Sequence, residues 1–333
     1  MPIRPARMLW ALLSITLIAF FVARMAPGGQ PLEPVAAGAA PAYPAAPGDA
    51  WIPPLAAQYL GFLARAVRGD LGTSALSGRP VSEELLARWP ATLELGGGAM
   101  LIAILAGIPA GVLAAIHRGR PADYLVSAVS LAGYSMPVFW LGLLLILAFS
   151  VTLGVAPVSG RLDIAYDVPA HTGFMTVDTL LPEATATYGI DAFRDALHHL
   201  LLPALAMAAV PLAAFARITR ASMIAVLSED YIRAARARGL PEARIVWLHA
   251  LRNALLPVIT VGGLFFVSTA VAGAILTETI FGWPGIGSYI VSSVQARDYP
   301  VIQGGVLMIG LLVVCVNGVV ELLYRAANPR MRR

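Results

Sequence analysis

The feature that most constrains this chain is a set of long stretches that contain no Asp, Glu, Lys or Arg. A helix needs about 20 mainly apolar residues to cross a membrane. The charge-free stretches cover residues 8–23, 95–116, 124–160, 196–216, 253–277 and 300–320. Because lipid offers backbone groups no hydrogen-bond partner, each stretch is expected to contain one helix. The sequence therefore predicts an all-α integral membrane protein with six transmembrane helices.

Composition supports this fold class and disfavours several others. Of the 333 residues, 58% are hydrophobic and only 13% are charged, about half the charged share of an average protein. A soluble domain of this length could not cover its surface with so few charges. These values argue against a soluble enzyme, a disordered chain and a nucleic-acid binder.

The basic residues place a second limit on function. All 23 are arginine, and the chain has no lysine. A Walker A phosphate loop requires a lysine to reach the terminal phosphates of a nucleotide. If ATP drives this protein, ATP and its magnesium must therefore be bound by another chain, and we expect no cofactor here.

Arginine placement predicts the orientation of the spans. With the N-terminus inside, 15 of the arginines fall in the cytoplasmic pieces 1–7, 117–123, 217–252 and 325–333. The positive-inside rule then places both termini in the cytoplasm. The first stretch is interpreted as an uncleaved anchor helix, with a removed signal peptide as the alternative, because Arg24 and Met25 make a poor cleavage site.

The predicted organisation has four parts. Residues 1–25 form an N-terminal transmembrane helix, and 26–92 form an extracytoplasmic segment. That segment begins with a stretch rich in Pro, Ala and Gly at 26–56 and continues with an amphipathic helix at 58–67, whose apolar residues are Tyr59, Leu60, Leu63 and Val67. Residues 93–327 form the main transmembrane domain with a cytoplasmic loop at about 217–256, and 328–333 form a cytoplasmic tail.

The long cytoplasmic loop has clear signals for one short helix. Ser228 is a good N-cap residue, and Asp230 follows where the helix dipole favours negative charge. Gly239 suits a left-handed C-terminal cap, and Pro241 prevents continuation. We predict a helix of about ten residues. Its alanines and arginines suit either docking on a partner protein or resting on anionic lipid headgroups, and the residues alone do not separate these two interpretations.

Several motifs along nearly the whole chain resemble those of ABC-importer permeases, and most closely the peptide-importer branch. The segments 234–239 and 249–257 are similar to the EAA loop of that family, although Arg233 stands where the general motif begins with glutamate. The other matching segments are 69–74, 134–142, 278–285, 297–300 and 328–330. The resemblance implies the type I importer permease fold and the first of two permease subunits in the bacterial inner membrane.

The resemblance also implies partners and site residues. The loop helix would be a coupling helix that fits a cleft on a cytoplasmic ATPase subunit. The implied ATPase-coupling residues are Asp230, Arg233, Ala234, Ala235, Arg236, Gly239 and Leu240. The implied assembly contains a sister permease, two ATPase subunits and an extracytoplasmic binding protein that delivers di- or oligopeptides. This chain would have no catalytic residue and no metal site.

Candidate translocation-pathway residues flank Pro137, which should kink the third span. Tyr134, Ser135 and Phe139 either line the pathway or belong to a packing kink. Glu278 either lines an outer gate or lies at the level of the lipid headgroups, where a carboxylate is tolerated. Alternative cargoes are nickel chelates, glutathione and oligosaccharides. The less favoured functional classes are an ion-coupled secondary transporter and an intramembrane enzyme.

Overall fold

The computed structural model describes residues 5–25, 55–268 and 273–327, and this part of the chain is helical apart from loops and a single bridge between Thr73 and Pro80. The helices before the long loop at 153–174 are α1 Pro5–Met25, α2 Leu55–Val67, α3 Val81–Ile116, α4 Pro121–Ser135 and α5 Val138–Leu145. The remaining helices are α6 Met175–Asp178, α7 Pro182–Tyr188, α8 Asp191–Leu227, α9 Asp230–Ala237, α10 Glu242–Arg244, α11 Leu251–Ser268, α12 Ala274–Ile280, α13 Ile286–Gln295 and α14 Tyr299–Ala327. Two π-helical segments, Ile146–Thr152 and Ile245–Ala250, follow α5 and α10.

Three described helices are long and apolar enough to cross a membrane: Val81–Ile116, Asp191–Leu227 and Tyr299–Leu322. The pair Pro121–Ser135 and Val138–Thr152 makes a fourth if it is one span, although its two halves meet at 106°. The all-α prediction is thus confirmed for the described residues, whereas the count of six spans and the orientation of the termini stay predictions. Residues 26–54 of the predicted stretch 26–56, and the predicted tail 328–333, lie outside the described residues.

The chain forms two compact units. The first contains residues 88–288 and the chain from 315 onward, and its core is a cluster on α3, α8 and α11 that includes Leu95, Met207, Phe215 and Val258. Small side chains dominate this cluster, with Ala91, Ala99, Ala103, Ala204 and Ala208 all buried. Helices with small residues at their interface can approach closely, which is how membrane helices pack without a hydrophobic driving force between them.

The second unit contains residues up to 87 and 289–314. Here α2 is the predicted amphipathic helix, but its buried face differs from the predicted one. Phe62 is buried against Phe20 of α1, with Tyr59 and Ala66 beside it, whereas Leu60 and Val67 are exposed. The predicted face omits Phe62. Residues 59, 62 and 66 are spaced three and four apart, so they lie on one face of a helix.

The predicted kink at Pro137 is a complete break. Helix α4 ends at Ser135, Pro137 is the N-cap residue of α5, and the chain turns through 106°. Proline lacks the backbone donor that would bond to Gly133, so the helical hydrogen-bond ladder is interrupted here. The third charge-free stretch is therefore two helices whose junction holds Tyr134, Ser135 and Phe139.

Candidate functional site

The predicted loop helix exists, but it begins later than predicted. Helix α8 continues through the first part of the predicted loop to Leu227, and Ser228 is its C-cap residue, where its hydroxyl donates to the Ala225 carbonyl at 2.6 Å. Helix α9 starts at Asp230 with Glu229 in the extended N-cap position. Ser228 as an N-cap residue was therefore wrong, because the buried side chains of the last turns of α8, such as Met223, extend that helix past the charge-free stretch.

The predicted end of α9 is confirmed in detail. Gly239 has a φ of +76°, the left-handed conformation that glycine adopts without strain. Its N–H donates to the Arg236 carbonyl at 2.9 Å, and the N–H of Leu240 donates to the Ala235 carbonyl at 3.3 Å. This pair of bonds is a Schellman motif, which satisfies carbonyl groups that the helix end would leave without partners.

One face of α9 is fixed to the first unit. Ile232 is fully buried and Ala235 is 9% exposed, in a cluster with Val112 of α3 and Met223 of α8. Burying an isoleucine side chain contributes about 2 kcal/mol. Ala235 thus packs within its own chain and does not offer its side chain to a partner. Leu240 packs against the same cluster and is half-buried.

The opposite face of α9 is exposed and charged. Asp230, Arg233, Ala234, Arg236 and Gly239 all lie on the surface, so five of the seven implied coupling residues are accessible. Two ion pairs order this face: Arg233 bonds to Asp230 one turn back, and Arg236 bonds to Glu242 at 2.7 Å.

The second of these pairs is a surface pair with a predictable pH response. The hydrogen bond from Arg236 lowers the pKa of Glu242 below its usual value, and the bond raises the pKa of Arg236. A lowered carboxylate pKa adds stability above the ordinary value of the group, and that stability is lost as pH falls through the lowered value. At neutral pH the pair is therefore intact, with the small weight of an exposed pair.

Two further contacts that sequence reasoning missed hold this region. Asn253 of α11 donates through Nδ2 to the Tyr231 hydroxyl of α9 at 2.7 Å. Arg220 of α8 donates to both carboxylate oxygens of Asp123 at the start of α4, from Nε at 2.5 Å and from Nη2 at 2.8 Å. Asp123 and Arg220 are 97 residues apart, so no local spacing signalled the pair. These contacts tie α9 and the short loop before α4 to the long helices.

The structure separates the predicted pathway residues into two environments. Tyr134, Ser135 and Phe139 are exposed around the break between α4 and α5, as a pathway surface requires. Glu278 is fully buried and does not join them. A groove of about 790 Å³ lies elsewhere, along α3 and α8, and includes Leu101, Leu201 and His198.

Glu278 is the centre of a buried hydrogen-bond network. It accepts from the Thr92 hydroxyl at 2.7 Å and from the Ser288 backbone N–H at 2.9 Å. Thr92 in turn accepts from the Ile286 N–H at 2.9 Å. A Cβ on Gly285 would collide with the Glu278 carboxylate, which explains the glycine there. In this structure Glu278 positions the turn before α13 and does not line an open gate.

Replacing Glu278 distinguishes these two roles. We expect Glu278→Ala to leave the Ser288 N–H without a partner and to lower the unfolding free energy by about 2 kcal/mol. Glu278→Gln keeps one acceptor and should lose less. Thermal unfolding of both purified variants checks this. A pathway role is supported instead if both variants keep the wild-type midpoint and differ only in transport.

A protein family and several individual proteins match this chain over most of its length. Residues 107–333 match the family of binding-protein-dependent transport system inner membrane components. The chain belongs to this family. The di/tripeptide transport system permease protein DppB of Pseudomonas aeruginosa (strain UCBPP-PA14) is 53% identical over 279 residues, which are 84% of this chain and 81% of that protein.

A second relative and a solved structure extend the comparison. The dipeptide transport system permease protein DppB of Escherichia coli (strain K12) is 50% identical over 283 residues, covering 84% and 81% of the two chains. A chain of the MetNI methionine ABC transporter in an inward-facing conformation is similar in fold, with a TM-score of 0.54 at 16% identity. The match covers 73% of this chain and 96% of that one. The predicted ABC-permease resemblance and inner-membrane location are thereby confirmed.

Proposed function

We propose that this chain is a permease subunit of an ATP-driven importer and forms half of the translocation pathway for di- and oligopeptides. The observation that carries the proposal is its relationship to two permeases named for di/tripeptide and dipeptide transport, at 53% and 50% identity over most of the chain. These names favour peptides over nickel chelates, glutathione and oligosaccharides. The proposal includes six spans with both termini in the cytoplasm, in line with the arginine distribution.

The proposed partners follow from the surface of α9 and from the chain's composition. We infer that a cytoplasmic ATPase subunit binds the exposed face of α9, and that two such subunits hold ATP and magnesium. A chain without lysine has no Walker A loop of its own. The remaining proposed partners are a sister permease and an extracytoplasmic binding protein that delivers the peptide.

The arrangement of α9 suits mechanical coupling. Its buried face is seated on α3 and α8 through Ile232, so a force applied to the exposed face reaches both long helices through packed side chains. Coupling of this kind requires a rigid element with two arrangements and a ligand that favours one of them. ATP binding by the partners would supply that preference, and this chain would contribute no catalytic group.

A charge placed at Gly239 tests the docking surface. An added Cβ at Gly239 meets nothing within 4 Å, and aspartate and asparagine both tolerate positive φ values. We expect Gly239→Asp to reduce co-purification of the ATPase subunits at least about tenfold, because an unpaired charge would be buried in the contact. The isosteric Gly239→Asn variant should reduce it much less.

A second experiment, uptake by the reconstituted transporter, tests the function as a whole. ATP-dependent uptake of a labelled dipeptide by the wild-type chain with its partners supports the proposal. Wild-type levels of bound ATPase in Gly239→Asp would instead show that the α9 surface is not the docking site, and an ion-gradient requirement for uptake without any ATPase would overturn the importer proposal.

A further inference from the structure

Arg217 and Tyr134 are in contact on the first unit, and neither belongs to the exposed face of α9 described above. The guanidinium carbon of Arg217, on α8, lies 5.0 Å from the ring centroid of Tyr134, at the end of α4. Both side chains are exposed, and the Tyr134 side chain is 50% exposed. Such a cation–π contact orients the guanidinium over the ring.

Neighbouring contacts fix the depth of this pair. Helices α4 and α8 are antiparallel: Asp123 bonds to Arg220 near the cytoplasmic end, and Gly133 faces Ala209 and Ala213 further along. Tyr134 is therefore level with the inner part of the charge-free stretch 196–216. Side chains on a helix lean towards its N-terminus, so Arg217 leans away from the cytoplasm and Tyr134 leans towards it. They meet about one helical turn inside that stretch.

The charge of Arg217 has no counter-ion on the helices beside it. Among the described residues no carboxylate forms an ion pair with Arg217. The nearest acidic group along this helix pair, Asp123, already bonds to Arg220 through both oxygens and to the Gly119 N–H through one. An arginine at membrane depth is costly unless it faces water or a binding partner.

The helix break lies directly beside the pair. The chain turns through 106° between Ser135 and Val138, and both Ser135 and Phe139 are exposed there. Irregular backbone at membrane depth is tolerated where it is covered by protein or lines a water-filled cavity. The pair thus places the positive charge of Arg217 beside the ring and hydroxyl of Tyr134, at a break in the helix.

We propose that Arg217, oriented by Tyr134, is a carboxylate-binding site in the translocation pathway that receives the C-terminal carboxylate of the transported peptide. This inference rests on the proposed function. A guanidinium matches a carboxylate with two parallel hydrogen bonds, so it selects a planar anion rather than any negative charge. Such a site recognises the C-terminal carboxylate and not the peptide side chains, which suits a pathway for peptides of different sequence.

The test compares two forms of one peptide on the complete reconstituted transporter. Uptake of a labelled dipeptide is measured with a free C-terminus and with a C-terminal amide, at saturating binding protein, for wild type and for Arg217→Gln. The ratio of the two rates in the variant is divided by the same ratio in wild type, which cancels the preference of the binding protein. We expect Arg217→Gln to lower the acid-to-amide ratio about tenfold, the effect of losing one charge-assisted bond.

Further variants make the result specific to Arg217. Arg217→Lys keeps the positive charge but loses the paired N–H donors of the guanidinium. Its acid-to-amide ratio should therefore lie between those of Arg217→Gln and wild type. Arg194→Gln removes an exposed arginine that pairs with Asp191 at the other end of α8, and it should leave the ratio unchanged. If Arg217→Gln does not assemble with its partners, Tyr134→Leu replaces it in the test. We expect Tyr134→Leu to lower the acid-to-amide ratio about threefold, because the ring contact is lost.

Each outcome separates the inference from the function on which it rests. Equal losses for the acid and amide peptides in Arg217→Gln, or an unchanged ratio in an assembled Tyr134→Leu, would overturn the carboxylate site and leave peptide import standing. Absence of ATP-dependent uptake of either peptide by wild type would instead remove the proposed function itself.

Discussion

Gly111→Val is expected to destabilise the first unit more than a side chain added at any other glycine of α3. A Cβ at Gly111 would lie 2.5 Å from the Ala216 carbonyl oxygen and 2.7 Å from the Thr219 Cβ. The carbonyl belongs to the backbone of α8, so no change of rotamer can relieve the contact. Four residues earlier, a Cβ on Gly107 would lie 2.7 Å from the Leu212 carbonyl. We expect a loss of about 3 kcal/mol, the upper end for an overpacked core.

The matched control is Gly97→Val on the same helix. Nothing lies within 4 Å of a Cβ at Gly97, and the position is exposed. Valine has a slightly better helix propensity than glycine, so this variant should keep the wild-type midpoint in thermal unfolding of the detergent-solubilised chain. Equal midpoints for the two variants would show that α3 and α8 are not in close contact at Gly111.

The glycines of α3 differ in how much room an added side chain would have, and the sequence alone does not show which of them meet α8. The run 96–98 draws attention because it is contiguous, but only at Gly98 would an added Cβ come close to a neighbour, at 3.3 Å from the Leu200 side chain. Gly107 and Gly111 are spaced four apart, and this spacing puts both on one helix face. The motif was present in the sequence, and the missing information was which face of α3 meets α8.

Local chemistry made the helix ends near the loop and the proline break predictable. Gly239 and Pro241 end α9 through their own backbone constraints, and Pro137 interrupts α4 in the same way. The N-cap prediction at Ser228 was wrong because the end of α8 depends on the burial of Met223 in a tertiary cluster, which the local sequence does not reveal. Among the polar contacts, Thr92 with Glu278 joins residues 186 positions apart. Pairs at that distance follow from packing, which local periodicity does not contain.

The second large effect is expected from Arg161→Met, at a buried ion pair of the first unit. Arg161 lies in the loop before α6 and donates to the Glu94 carboxylate of α3 at 2.5 Å and to the Gly173 carbonyl at 2.8 Å. Its guanidinium also lies 5.5 Å from the ring centroid of Trp283. The Glu94 side chain is 4% exposed. The arginine thus joins the loop to α3 and to the turn that precedes α13.

Removing Arg161 would leave Glu94 as a buried charge with neutral donors only. Its remaining partners are the N–H and hydroxyl of Thr176, at 2.7 and 2.6 Å. Breaking a buried pair from one side costs about 3–5 kcal/mol, because the other charge stays buried without compensation. We expect Arg161→Met to lower the unfolding midpoint strongly. Arg194→Met, which breaks an exposed pair with Asp191, should change the midpoint little.

The double variant Glu94→Gln with Arg161→Met separates charge burial from lost packing. The glutamine side chain introduced by Glu94→Gln would be neutral and would still accept from Thr176, so the cost of an uncompensated charge disappears. We therefore expect the double variant to be more stable than Arg161→Met alone, since pairs in direct contact are not additive. The thermal midpoints of the two single variants, the double variant and wild type give the interaction energy. Additive midpoints would mean that Glu94 and Arg161 do not interact, and that the loop before α6 is held to α3 by its apolar contacts instead.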